Sequence, residues 1–109
     1  MNFDDFQQGT RLTVNPDINP DYVLAHWGMG LSGEAGEICD YLKKVVFHSH
    51  RLDINKLKDE LGDLLFYLAQ TADAVGLKLS EIARYNHEKL NARYPEGFST
   101  EQSINREDD

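Results

Sequence analysis

The sequence predicts an all-α protein, an antiparallel four-helix-type bundle completed by oligomerisation. Three observations carry that expectation. No stretch keeps the alternation of a half-buried strand, whereas three long stretches space their apolar residues by threes, fours and sevens. The three prolines fall outside the helical interiors, Pro16 and Pro20 among residues that cap helices and Pro95 at the end of the last stretch. In "LLFYLAQ", Leu64, Leu65, Phe66 and Leu68 point around much of a helix circumference, and a helix apolar on most sides is covered on most sides. A single chain of 109 residues achieves that with difficulty, so a subunit interface is expected.

Each element has a local cause. "NFDDFQQGTRLT" is expected to form a first helix from Phe3 to Thr13, ended by "NPDINP" with its two prolines. The second helix is expected from Pro20 to Phe47, along a stripe of Leu24, Trp27, Leu31, Ile38, Leu42 and Val45. "HSHRLD" closes it. Asp53 is a suitable cap for a third helix reaching Val75, and Gly76 is its expected stop. "LKLSEIARYNHEKLNARYP" supplies a fourth, with Ser80 as a candidate cap and Pro95 as the terminator. Residues 1–95 are therefore expected to form one helical domain. Residues 96–109 form an acidic, partly irregular tail, because "EGFSTEQSINREDD" holds five acids, one arginine and no sustained periodicity.

Composition narrows the functional classes. Nineteen acidic and eleven basic residues leave a net charge of −8, which disfavours sequence-independent binding of nucleic acid, where cations must displace counterions. No apolar run approaches the roughly 20 residues that cross a bilayer. "MNFDDFQQ" has neither the basic nor the apolar region of a secretory signal. A cytoplasmic location without nucleic-acid or membrane partners is the expectation. The single cysteine, Cys39, is expected to be a small core hydrophobe.

The informative feature is a pair of acids on each of two successive helices. Glu34 and Glu37 lie three residues apart on the second helix, and Glu60 and Asp63 three apart on the third. Such pairs leave one face, about 60° apart; the first flanks the stripe through Leu31, Ile38 and Leu42, and the second the stripe through Leu57, Leu61, Leu64 and Leu68, expected to be the packing side of the third helix. Packing the two helices antiparallel brings the four carboxylates toward one pocket. Gly30, Gly33, Gly36 and Gly62 surround them, although a glycine inside a helix costs about 1 kcal/mol relative to alanine; space held for a ligand would account for it. Clustered carboxylates must be protonated, separated or neutralised, and oxygen-only ligands suit Mg²⁺, Mn²⁺ or Ca²⁺. A di-iron carboxylate bundle is the lesser alternative, because such bundles carry Glu-x-x-His pairs and the third position here is acidic in both. A non-catalytic helical oligomerisation or regulatory module with cation-binding acids is the competing reading.

Taken together, "HWGMGLSGEAGEICDYLKK", "KLKDELGDLLFYLAQTADAVGL" and "NHEKLNARYPEGFS" resemble, in order, the MazG-like family of all-α nucleoside triphosphate pyrophosphohydrolases. The family pattern is Glu-x-x-Glu on one helix and Glu-x-x-Asp on the next, here Glu34, Glu37, Glu60 and Asp63. Its fuller form has an extra acid where this chain has Gly33. The resemblance implies Mg²⁺-dependent hydrolysis between the α- and β-phosphates, with Mn²⁺ a substitute, giving the monophosphate and pyrophosphate. It implies the four acids as metal ligands, with Glu37 or Glu34 also orienting the attacking water. It further implies a housecleaning role in nucleotide metabolism, and the subunit interface expected of the third helix makes the assembly a homodimer or homotetramer. On the fourth helix Asn86, Lys89 and Arg93 share one polar face, which without the resemblance reads as solvated surface. With it, Lys89 and Arg93 become candidate phosphate contacts, joined by Asn86 and Tyr94. Lys43 and Lys44 suit the C-terminal end of their helix dipole. Trp27 reads as core, with base stacking as its functional alternative, and His26 as a sugar or phosphate contact. Tyr67 either reaches the pocket or packs. His48 and His50 read as loop or capping residues.

Overall fold

A computed structural model describes residues 1–106. It contains five α-helices: α1 Phe3–Thr10, α2 Val23–Phe47, α3 Ile54–Ala74, α4 Leu79–Arg93 and α5 Thr100–Ile104. Among the described residues there is no β-strand, only one isolated bridge between Pro95 and Gly97. The all-α expectation holds. No helix among these residues is long and apolar enough to cross a membrane.

Local chemistry sets the boundaries. Asn2 caps α1 by accepting from the Asp5 N–H at 2.8 Å, and the Asp5 carboxylate accepts in return from the Asn2 N–H at 3.3 Å. The α-helix stops at Thr10, and Arg11–Thr13 tighten into a 3₁₀ turn. Asn19 accepts from the Asp21 N–H and starts a second 3₁₀ turn, Pro20–Tyr22. The second α-helix therefore begins at Val23 rather than Pro20, since the asparagine–proline pair sets a tighter turn before it. Asp53 caps α3 as expected, accepting from the Asn55 and Lys56 N–H groups. Gly76, at φ 73°, ends it: its N–H bonds Asp73 O and the Leu77 N–H bonds Ala72 O, a left-handed closure that glycine takes without strain.

Ser80 is not the cap of α4. Lys78 occupies that position, and α1 does the capping from outside. Asp4 accepts from both the hydroxyl (2.8 Å) and the N–H (3.2 Å) of Ser80. Gln7, buried, accepts from the Leu79 N–H at 2.8 Å while its amide donates to Asp73 (2.7 Å) and to Leu77 O (2.9 Å). Arg11 pairs with the same Asp73 at 2.7 Å. This polar knot ties α1, the end of α3 and the start of α4 together around Ala69, Ala72 and Leu79, with Phe6 and Ile82 packed against them. Gln7→Ala would leave the Leu79 N–H and Leu77 carbonyl without partners, so a loss of about 1–3 kcal/mol is expected, read as a lowered midpoint in urea. The knot also sets acid sensitivity. Hydrogen bonds from Ser80 hold Asp4 below its ordinary 3.8, and Arg11, then Gln7, hold Asp73 below it. Carboxyls depressed in the folded state contribute stability above their unfolded value and lose it as pH falls through the folded one. Stability should therefore fall below pH about 4, and less steeply in Asp73→Asn.

The longest packing surface is the α2–α3 hairpin, while α4 packs against α1 instead of lying along that hairpin. The chain is consequently open. Its radius of gyration is 17.2 Å, against about 13 Å for a compact domain of this length. Cys39 is exposed rather than buried, because nothing among the described residues covers the outer face of α2 there. From Ile54, Leu61 and Leu68 on α3 to Val75 just past its end runs a partly exposed apolar stripe at seven-residue spacing, 64%, 48%, 36% and 54% exposed.

Candidate metal and phosphate site

The hairpin is held in register at two levels. Near its turn, the Tyr41 hydroxyl, on α2, accepts from the Asp53 N–H at 2.7 Å, anchoring α2 to the cap of α3. Two turns beyond the acids, Trp27, 6% exposed, packs against Phe66 (ring centroids 5.7 Å) and Tyr67 (5.5 Å). A β-carbon on Gly30 would overlap the Tyr67 ring. That glycine serves close helix approach, whereas Gly33, Gly36 and Gly62 face open space. Trp27 and Tyr67 therefore pack, and His26, exposed, stands edge-on to Trp27 at 4.7 Å.

Between these anchors the acids meet. Glu34, Glu37 and Glu60 each offer a carboxylate oxygen within 4.8 Å of the other two. Oε2 of Glu34 and Oε2 of Glu60 are shut off from solvent and have no hydrogen-bond partner. Burial raises the pKa of Glu34 above its ordinary value, reinforced by the charges of Glu37, Asp63 and Glu60. Burial likewise raises Glu60, reinforced by Glu37 and Asp63. Glu37 lies within proton-sharing reach of both and is itself exposed, so it is the member open to solvent. Two buried oxygens lacking any donor are costly unless something positive reaches them. An all-carboxylate donor set fits a hard divalent cation of the Mg²⁺ type.

Asp63 stands apart from the three. It is exposed and lines a neighbouring cavity with Asp5, Phe6 and Phe66, although its charge is felt at both Glu34 and Glu60. Beside Glu37 and Glu60 opens a cavity of about 500 Å³, bordered by Gly33 and Gly36 and extending toward the α2–α3 turn. Its far end holds Asp40, Tyr41, Lys44, His50 and Lys56. Asp40, Tyr41 and Lys56 are not among the site residues expected from the sequence. The signal was present in their spacing, since Tyr41 is four residues after Glu37 and Lys56 four before Glu60.

The α4 candidates lie elsewhere in the chain. No α4 residue borders this cavity. Asn86 is exposed, Lys89 and Arg93 are half-buried, and the Tyr94 ring packs on Phe98 at 5.3 Å.

Fold and site define a class: all-α proteins whose helical hairpin gathers carboxylates from both helices. The profile of the MazG nucleotide pyrophosphohydrolase domain matches residues 26–98, which take in nearly all of α2 and the whole of α3 and α4. The chain belongs to that family. It is also similar to the Gene 37 protein of Mycobacterium phage L5, 34% identical over 87 residues, covering 76% of each chain. No solved structure gives a significant match.

Proposed function

We propose that this protein is a Mg²⁺-dependent nucleoside or deoxynucleoside triphosphate pyrophosphohydrolase, with Mn²⁺ as a substitute, acting in nucleotide-pool housecleaning in the cytoplasm as a homodimer or homotetramer. The observation that carries the reading is the pair of buried, partnerless oxygens on Glu34 and Glu60, in a chain of the MazG family.

Glu34, Glu37 and Glu60 are the residues that would hold the cation, with Asp63 completing the set from its edge. A bound divalent ion supplies charge neutralisation and phosphorus polarisation. The chain's own share is positioning. Glu37, open to the cavity, orients the attacking water and takes its proton. The water oxygen bonds to one of the two phosphorus atoms flanking the α–β bridging oxygen, and the bond from that phosphorus to the bridge breaks. Monophosphate and pyrophosphate leave. Most of what phosphoryl transfer requires is such placement together with electrostatics.

The partly exposed stripe along α3 supports assembly, since a seven-residue apolar seam matches the spacing of helices that pair.

The deciding experiment offers a panel of triphosphates with Mg²⁺ and measures pyrophosphate release with identification of the monophosphate. Release that stops in chelator is expected. Cation-dependent stabilisation without release from any triphosphate would instead identify a regulatory module.

A further inference from the structure

The cavity beside the acids is charged oppositely at its two ends, and helix geometry explains why. Lys44 follows Glu37 by seven residues, so it lies about 20° away around α2 and about 10 Å further along it. Lys56 precedes Glu60 by four residues, one turn away on the same side of α3. The helices run antiparallel, so both displacements lead toward the same end, the turn at residues 48–53. That turn brings in a third nitrogen base. The His48 and His50 N–H groups both bond Lys44 O, at 3.0 and 3.1 Å, with Ser49 in the left-handed region at φ 60°, and His50 then borders the cavity.

We propose that Lys44, Lys56 and His50 form the pyrophosphate-binding end of the site, so that a triphosphate lies along the hairpin with its β- and γ-phosphates toward the α2–α3 turn. The assignment rests on the pyrophosphohydrolase reading and deepens it. Both lysines are pre-positioned by exchangeable partners. Lys44 Nζ sits 3.0 Å from Asp40, which it shares with Lys43 at 3.2 Å. Lys56 Nζ stands 4.7 Å above the ring of Tyr41, whose hydroxyl is fixed to the α3 cap. Asp40 and both its lysines are substantially exposed, and an exposed pair of this kind is weak. A multiply charged phosphate displaces it with little penalty. Asp40 then serves as the counter-charge while the end stands empty. A volume near 500 Å³ lies within the usual range for small-ligand sites.

Inorganic pyrophosphate with Mg²⁺ is the direct probe, titrated calorimetrically into the full chain. Lys44→Gln and Lys56→Gln should each weaken binding by about tenfold, the loss of one charge-assisted contact, and raise KM for a triphosphate. Lys58→Gln, the same charge change on α3 outside the cavity lining, should bind as the unaltered protein does. Lys44→Arg and Lys56→Arg should recover most of the affinity, which a merely structural role would not require. Pyrophosphate affinity unchanged in the Lys44→Gln/Lys56→Gln double variant, or absent from an unaltered protein that turns over triphosphates, would overturn the assignment and leave the proposed activity standing. An unaltered protein that neither binds pyrophosphate nor releases it from any triphosphate would overturn both.

Discussion

Glu34→Gln and Glu60→Gln are each expected to abolish pyrophosphate release while raising the thermal midpoint of the metal-free protein. The two effects share one cause. The carboxylates of Glu34, Glu37 and Glu60 are crowded within 4.8 Å, and like charges at such separations repel one another. Two of their oxygens are also buried without a donor. Glutamine keeps the shape, removes one charge and introduces an N–H toward its neighbours, so the empty site relaxes. A cation then loses a ligand. Partners one step removed from a metal cost 10–100-fold in affinity or activity, so a direct ligand should cost at least about a hundredfold. Metal linkage separates this from misfolding. Mg²⁺ at 100 times its dissociation constant stabilises the folded form by about 2.7 kcal/mol. Calorimetry should show that increment in the unaltered protein, chelator should remove it, and both variants should lack it. A variant that kept the Mg²⁺-dependent rise and full turnover would remove that residue from the site.

The second large effect concerns assembly. Leu61→Asp with Leu68→Asp should shift sedimentation equilibrium from oligomer toward monomer. These leucines sit mid-seam on α3, 48% and 36% exposed, between Ile54 and Val75. Fully burying a leucine contributes about 1.5 kcal/mol or more, and a two-fold interface repeats each contact. Two leucines on two subunits, each with less than half of its surface left to bury, then amount to about 2.5 kcal/mol, or roughly a seventyfold change in the association constant. Charge buried in the seam would add to it. Monomeric behaviour of the unaltered protein at micromolar concentration, with undiminished turnover, would instead leave the seam without an assembly role.

Much of this molecule was readable from residue order, because the relevant physics is local. Apolar spacing located the long helices, and Asp53 and Gly76 marked the limits of α3 through capping chemistry that needs only neighbours a few residues away. The acids were legible for the same reason: residues three apart on a helix share a face wherever that helix lies. What order could not supply was the meeting of faces. The stripe through Leu57, Leu61, Leu64 and Leu68 suggested the packing side of α3, yet Phe66 and Tyr67 close on Trp27, and Gly30 allows it. Ser80 looked like a cap, but Asp4, 76 residues away, performs that task. Asp63 matched the four-acid pattern by spacing, while a rotation of about 60° around α3 left it at the edge of the site.

By itself, then, the sequence determined the helices, their caps, and which acids project together from each one. Only the tertiary structure decided that Glu34, Glu37 and Glu60 converge, that the far end of their cavity is cationic, and that α4 departs from the hairpin. The physical reason is range. Helical periodicity and capping act within one or two turns, whereas the angle and rotation of one helix against another follow from side-chain contacts between residues far apart in the chain.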